Sequence, residues 1–237
     1  MKITLIGYGK MGKTIEQIAL ERGHQISHII DVSNAKDLHQ IKKGDTEVAI
    51  EFTQPESAFE NVKYCTQNQI PIVCGTTGWL EKRSIIEQIC QERESAFFYA
   101  SNYSIGVNIF FKINQILAKM MNQYPQYNIN IEEIHHTEKK DAPSGTAITL
   151  AEGIINEVSR KTGWKLNENI ENQVNITALR QPNVAGTHTV SYQSDIDSIE
   201  IKHTAHSRQG FALGAVLAAE WLRDKKGVFG MSDLLGL

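Results

Sequence analysis

Residues 1–23 read MKITLIGYGKMGKTIEQIALERG. Ile3 to Gly7 is a short apolar run bounded by a turn signal, the pattern of a strand buried on both faces. Met11 to Arg22 places Ile15, Ile18 and Ala19 on one helical face, and Gly23 stands where a helix stops. Between the two lies Gly7-Tyr8-Gly9-Lys10-Met11-Gly12. Such a GxGxxG string is weak alone, but between a strand and a helix it reads as a dinucleotide-binding turn. The first glycine permits the tight turn, the second lets the backbone approach a pyrophosphate, and the third lets helix and strand pack closely. The phosphates would rest on free N–H groups of the helix start, where the dipole favours negative charge. Lys10 either adds a cation there or is simply solvated.

The reading extends outward. Gln25 to Asp31 is a second strand, and Asp31 stands roughly 20 residues past Gly12, the place of an acid that accepts hydrogen bonds from ribose hydroxyls. The bland alternative is a turn residue at a strand end. The carboxylate would repel a 2′-phosphate, and Val32 and Ser33 offer no cation, although Lys36 is near. Strands at Glu47–Phe52, Pro71–Cys74 and Ala96–Ala100 alternate with helices at Glu56–Gln69 and Trp79–Arg93. That alternation implies a parallel sheet with right-handed crossovers. Two loops, Phe52-Thr53-Gln54-Pro55 and Gly75-Thr76-Thr77-Gly78, fall at carboxyl ends of strands, where open α/β sheets bind ligands. Glycine-threonine turns are also common for conformational reasons alone.

After Tyr103 the pattern changes. Val107 to Tyr124 reads as a long helix, and Asn128 to His135 alternates, with Ile129, Ile131 and Ile134 as inward candidates. A helix is expected from Ser144 to about Lys161. The stretches 173–179, 187–193 and 196–204 then suggest a mostly antiparallel sheet, with Asp195 in its last turn. The apolar helix Gly210–Arg223 finds no partner there and is assigned back to the first domain. The expected architecture is α/β: a Rossmann-type parallel-sheet dinucleotide-binding domain of residues 1–103 and 208–237, with an inserted α+β domain of residues 104–207 for substrate and oligomerisation.

Bulk properties set the limits. The chain has 237 residues, 41% hydrophobic and 22% charged, which excludes disordered and fibrous classes. A net charge of -3 and a pI near 6.2 give no global basic field for nucleic acid or an anionic membrane. Cys65, Cys74 and Cys90 form no CxxC pair and read as small buried hydrophobes in a reducing compartment. No apolar run is long enough to span a bilayer, and the start is a strand and glycine turn rather than a signal peptide. A cytoplasmic protein is expected.

The densest polar stretch is EEIHHTEKKDAPSGTA, residues 132–147. It joins a strand end to a helix start. Ser144 suits an N-cap, and the exposed N–H groups of Gly145 and Thr146 would seat a carboxylate. His135, His136 and Lys139 stand beside them as proton donors and charges. Each has a bland reading: adjacent histidines at a strand end point to opposite sides, and a Lys-Lys pair is commonly a solvated loop. Their coincidence in one loop favours function. No HExxH occurs and the histidines lack partners at ligand spacing, so no metal is expected. His203 and His206 read as structural.

These residues resemble a known family. HHTEKKDAPSGTA, His135 to Ala147, is similar to the HHxxKxDAPSGTA signature of dihydrodipicolinate reductases, a long and specific motif. In the family's order follow GYGKMG, FTQPE (52–56), GTTG (75–78), ASNYSIGVN (100–108) and His203…Ser207-Arg208 before GFALGA (210–215). The resemblance implies NAD(P)H-dependent reduction of 4-hydroxy-tetrahydrodipicolinate, a cyclic dicarboxylate, to tetrahydrodipicolinate in diaminopimelate and lysine biosynthesis, by a homotetramer. It implies that His135 and Lys139 are catalytic and that His136, Gly145 and Thr146 bind substrate carboxylates. It further implies cofactor contacts, with NADH or NADPH, at Gly7, Tyr8, Gly9, Lys10, Met11, Asp31, Gly75, Thr76, Thr77, Ala100, Ser101, Asn102 and Tyr103. Two features depart from many relatives: a glycine loop one residue shorter, and Val32 where an arginine often follows the ribose acid. Both bear on the choice between NADH and NADPH. Two rival readings are a semialdehyde dehydrogenase, which would need Cys74 as nucleophile, and a nicotinamide-sensing protein without turnover.

Overall fold

The structure is a computed structural model and describes residues 1–207 and 209–237. Arg208, where the final segment was expected to begin, lies outside the described residues. The chain divides into a first compact unit of residues 1–105 and 209–237 and a second formed by the stretch between them. The first unit thus keeps Ser104 and Ile105, which the sequence pattern had given to the insertion.

The first unit is built on strands β1 (Lys2–Ile6), β2 (Gln25–Ile30), β3 (Val48–Glu51), β4 (Ile72–Cys74) and β5 (Ala96–Tyr99). Helices α1 (Lys10–Glu21), α2 (Pro55–Gln67) and α3 (Arg83–Glu92) alternate with them. After the second unit the chain adds α6 (Gln209–Leu222), β11 (Gly227–Phe229) and α7 (Met231–Leu235). The six strands run parallel in the order β11-β5-β4-β3-β1-β2. Strands β3, β4 and β5 are buried at every residue, as expected of a parallel sheet covered on both faces. One core joins Ile3, Leu5, Ile15 and Phe98 to Ala215, Val216 and Leu222 of α6. The other joins Ile6, Val62, Ile72 and Phe97 with Ile86 of α3. Each fully buried aliphatic side chain contributes about 1.5–3 kcal/mol relative to exposure. Placing the last apolar helix against this sheet thus has a physical reason: α6 is a stripe of Ala, Gly and Val that lies close. A Cβ on Gly214 would come within 1.8 Å of the Tyr103 carbonyl oxygen.

The second unit contains α4 (Ile105–Met121) beyond its first residue, β6 (Asn128–His135), α5 (Gly145–Glu157), β7 (Gly163–Leu166), β8 (Gln173–Arg180), β9 (Gly186–Gln193) and β10 (Ser198–Ala205). Its sheet runs β10-β9-β6-β8-β7. It is mixed, not mostly antiparallel: β9 pairs antiparallel with β6 and β10, while β8 pairs parallel with β6 and β7. The parallel half arises because α5 carries the chain back before β7, and the short loop 167–172 then doubles back before β8, with Asn167 at φ 57. Ile129, Ile131, Val174, Ile176 and Val190 pack one sheet face on Phe110 and Ala118 of α4 and on Leu150, Ala151 and Ile154 of α5. Along β6 the buried parity continues to Glu133 and His135, so Ile134 falls on the opposite face and is half-buried. No described helix is long and apolar enough to cross a membrane.

Candidate functional site

In the first unit the ends of β1, β2 and β3 surround a cavity of about 380 Å³ lined by Gly7, Tyr8, Gly9, Asp31, Val32, Thr53 and Asn61, among others. The glycines are placed by crowding and by openness. A Cβ on Gly7, whose φ is 92, would lie 2.0 Å from the Phe52 carbonyl oxygen, and one on Gly12 would lie 2.2 Å from the Gly7 carbonyl oxygen. A Cβ on Gly9 would meet nothing within 4 Å, and Gly9 caps α1 without a side-chain hydrogen bond. The helix start is therefore an open cradle of amides, which fits a pyrophosphate. Lys10 is exposed there and Met11 half-buried. Asp31 is exposed at the end of β2, its N–H donating to Asn34 Oδ1 at 2.7 Å. Val32 beside it is 93% exposed.

The other predicted loops are held from beneath by a residue the sequence reading passed over. Glu51, at the end of β3, is fully buried. Its carboxylate accepts hydrogen bonds from the Thr53 N–H and hydroxyl, the Thr76 hydroxyl at 3.1 Å and the Cys74 thiol at 2.9 Å. Thr53 N–H also donates to Thr76 Oγ1 at 2.8 Å. Thr76 is therefore occupied within the protein, while Gly75 is half-buried and Thr77 exposed. Ala100 is buried and Ser101 exposed, with Asn102 half-buried. Tyr103 points its ring into the core, stacked on Phe98 with its hydroxyl on the Cys74 carbonyl at 2.7 Å. What Tyr103 can offer a ligand is its main chain. Burial and the neighbouring Glu51 push the Cys74 thiol well up, so it is no nucleophile, which removes the support for a semialdehyde dehydrogenase.

In the second unit the end of β6 turns a core row into a polar one. Glu133 is fully buried, and His135 and His188 nearly so. An isolated buried carboxylate costs several kcal/mol, so its partners matter. Glu133 Oε2 accepts the Ser144 N–H at 2.9 Å, and Oε1 faces both terminal nitrogens of Arg180 at 3.3 Å. His188 Nε2 lies 3.7 Å and His135 Nδ1 3.8 Å from Oε2. Burial pushes Glu133 up, but the facing His188, the Ser144 N–H and the nearby His135 outweigh it and hold the carboxyl at about 2. Burial, then His188, brings His135 down to about 4 against the pull of Glu133, so its imidazole is neutral at neutral pH. Its Nδ1 is buried with no hydrogen-bond partner among the described residues, and its ring sits edge-on to His188 at 5.0 Å.

Ser144 caps α5 as the sequence suggested, its hydroxyl accepting from the Ala147 N–H at 3.2 Å and meeting His188 Nε2 at 3.0 Å. Gly145 and Thr146 then carry the amides that a helix start leaves without intrahelical acceptors. Gly145 is exposed with open space where a Cβ would be, and Thr146 and His136 are half-buried. Lys139 Nζ donates to both oxygens of Asp141, at 2.9 and 2.8 Å. Arg180 reaches from β8 across the same loop, donating to the Lys139 carbonyl at 3.3 Å and the Asp141 carbonyl at 2.6 Å.

The structure thus brings His135, Ser144 and Lys139 into one connected network and adds Glu133, Arg180 and His188. The signal for Glu133 was present in the strand parity; Arg180 and His188 are matched to it only by strand pairing, His188 opposite Glu133 and Arg180 opposite His135. Glu133, His135 and His188 also form a trio whose ligand atoms lie within 4.8 Å, a carboxylate partner the sequence expectation on metals had not seen. A divalent cation there would have to displace the Ser144 N–H from Glu133 and the Ser144 hydroxyl from His188. His203 lies on β10 with its ring 6.1 Å from Phe110.

Known proteins share both halves of this pattern. Residues 1–103 match the family described as "Dihydrodipicolinate reductase, N-terminus", and residues 106–235 match "Dihydrodipicolinate reductase, C-terminus". A 4-hydroxy-tetrahydrodipicolinate reductase of Christiangramia forsetii is 52% identical over 235 residues, covering 99% of this chain and 98% of the relative. One from Methanosarcina acetivorans is 37% identical, covering 97% and 87%. Among solved structures, a dipicolinate-bound dihydrodipicolinate reductase from Paenisporosarcina sp. TG-14 superposes with a TM-score of 0.78 at 20% identity over 98% of both chains.

Proposed function

The chain belongs to the dihydrodipicolinate reductase family, and from that premise we propose how its residues divide the work. It is a dinucleotide-dependent oxidoreductase that reduces 4-hydroxy-tetrahydrodipicolinate on the route to diaminopimelate and lysine. Bound NAD(P)H supplies the hydride. The α1 cradle around Gly9 takes the pyrophosphate, with Tyr8, Lys10 and Met11 beside it, and Asp31 takes the ribose. Gly75, Thr77 and the main chain of Thr76 and of Ala100 to Tyr103 complete the cofactor side.

The observation that carries the substrate assignment is the amide pair of Gly145 and Thr146 at a capped helix start, next to His135, His136 and Lys139. One substrate carboxylate rests on those amides and the other on His136. Loss of the 4-hydroxyl as water leaves a conjugated ring imine; as its ring carbon accepts hydride, the enamine electrons that result are quenched by a proton, which calls for a general acid. Lys139 delivers it. His135, neutral at neutral pH by its burial, orients the ring and does not serve as the acid. Asp141 holds the Lys139 ammonium until a substrate carboxylate competes for it. Free, buried cysteines suit a reducing compartment, the cytoplasm.

The test is oxidation of NADH by the purified chain when aspartate semialdehyde, pyruvate and the preceding synthase are supplied. Absorbance loss at the nicotinamide band that requires all three components is the expected result. A cofactor-binding protein without turnover would show none. Dipicolinate, the ring dicarboxylate of the Paenisporosarcina structure, serves as a stable probe of the same seat.

A further inference from the structure

We propose that Glu133 is a positioning residue: a buried, ionised carboxylate that holds the helix-start carboxylate seat and the Lys139 loop in one arrangement, through Ser144 on one side and Arg180 on the other. This rests on the substrate assignment above and adds residues that the motif does not assign.

The argument begins with parity. Ile129 and Ile131 fill the core-facing row of β6, and the next place in that row is Glu133, fully buried. Packing alone calls for an aliphatic side chain there, so the carboxylate needs another reason. Its two oxygens face different parts of the site. Oε2 takes the main-chain N–H of Ser144, the residue whose hydroxyl caps α5, and so fixes where the Gly145 and Thr146 amides point. Oε1 takes the Arg180 guanidinium, whose remaining donors hold the carbonyls of Lys139 and Asp141. One residue therefore connects the seat for the substrate carboxylate with the main chain that carries the proton donor.

The charged and titratable groups facing Glu133 come from every element packed on it: His135 from β6, His188 from β9, Arg180 from β8, and Lys139 and Asp141 from the loop. Glu133 and Asp141 balance Arg180 and Lys139. Replacing Glu133 by glutamine keeps the shape but not the function. An amide can accept from Ser144, yet its NH2 then faces the Arg180 donors, and the guanidinium loses the anion that aims it. Arg180 should then release the two loop carbonyls.

The experiment compares Glu133→Gln, Arg180→Met and the double variant with the parent enzyme. Titration with dipicolinate should show at least a tenfold weaker complex for Glu133→Gln, with NADH affinity within twofold of the parent and a lower turnover number. Because both substitutions break one relay, the double variant should be no worse than the weaker single; additive losses would sink the route through Arg180. Hydrogen exchange of a peptide spanning residues 136–146 should accelerate in Glu133→Gln without any ligand. That readout judges the proposal even if the parent fails to bind dipicolinate or turn over, an outcome that would instead overturn the substrate assignment. Unchanged exchange together with unchanged dipicolinate affinity would overturn the role of Glu133. Should Glu133→Gln not fold, Arg180→Met decides: it must accelerate the same exchange, and an unaltered loop overturns the proposal.

Discussion

Lys139 donates to both carboxylate oxygens of Asp141, whereas Lys140 is exposed beside it. If Lys139 is the acid, Lys139→Ala should lower turnover by roughly 10²–10⁴-fold with the fold and NADH binding intact, and Lys140→Ala should be mild. Steady-state kinetics on both variants checks this; a larger loss at Lys140 would shift the register of the whole loop. His135 makes a second, independent prediction. In the unfolded chain a histidine takes up its proton near 6.5, while in the fold burial and His188 bring His135 down to about 4. Between those values the unfolded state binds more protons, so stability drops as pH falls through that window. Glu133, down from 4.5 to about 2, adds stability present above pH 4.5 and lost as pH falls towards 2. Thermal melts should therefore give a lower Tm at pH 5 than at pH 7, with a flatter profile for His135→Asn. Asp31, followed by the exposed Val32, predicts a cofactor preference. NADH should bind at least as well as NADPH, and fluorescence titration showing NADPH tenfold tighter would reassign the ribose end to Lys36 or Lys10.

Among the elements, α1 offers a comparison between two glycines of one motif. Gly12→Ala drives a Cβ to 2.2 Å from the Gly7 carbonyl oxygen, so it should destabilise the fold itself. Gly9→Ala has room on the protein side, so its Tm should hold while NADH affinity falls, because the space it fills is the one a pyrophosphate needs. Melting curves and cofactor titrations on the two variants separate these outcomes. The long elements were readable because their periodicity is long. Strand β6 was read with both its ends in place, and Ser144 was recognised as the cap of α5. Two short strands were not: β7 and β11 span four and three residues, too few for a period to register, and they lack the wholly buried apolar run that marks the equally short β3, β4 and β5. The same limit explains the missed site residues. Glu133 is hidden because its neighbour Ile134 is the apolar residue of the two, although counting in twos from Ile129 lands on 133. Arg180 and His188 acquire their roles only from strand pairing, which sequence spacing does not encode. Glu51 was passed over because a glutamate ending a strand looks solvent-facing until Thr53, Thr76 and Cys74 are folded around it.

For the molecule as a whole, an assembly in solution is proposed. In the second unit Leu179 and Ile199 are exposed on the sheet, and Ile109, Ile113, Ile116 and Met120 are exposed along α4. Exposed apolar side chains on both faces of this unit motivate the proposal that it assembles as the homotetramer expected from the family resemblance. Light scattering at micromolar concentration should return four times the 26.6 kDa chain mass, and a monomer mass would count against it. The first unit, meanwhile, is discontinuous: β1 to β5 come first along the chain, but α6 and β11 arrive only after the second unit has been spelled out. During synthesis this separates the start of a sheet from its completion. At about 5–20 residues per second, the intervening hundred or so residues take on the order of 5–20 s to emerge. Throughout that interval the nascent parallel sheet has Ile3, Leu5 and Phe98 waiting for α6, with the β5 edge open. The inserted unit, continuous in sequence, can close around its own core first. The amino-terminal part of this protein, although translated first, is therefore the part whose sheet and core are completed last.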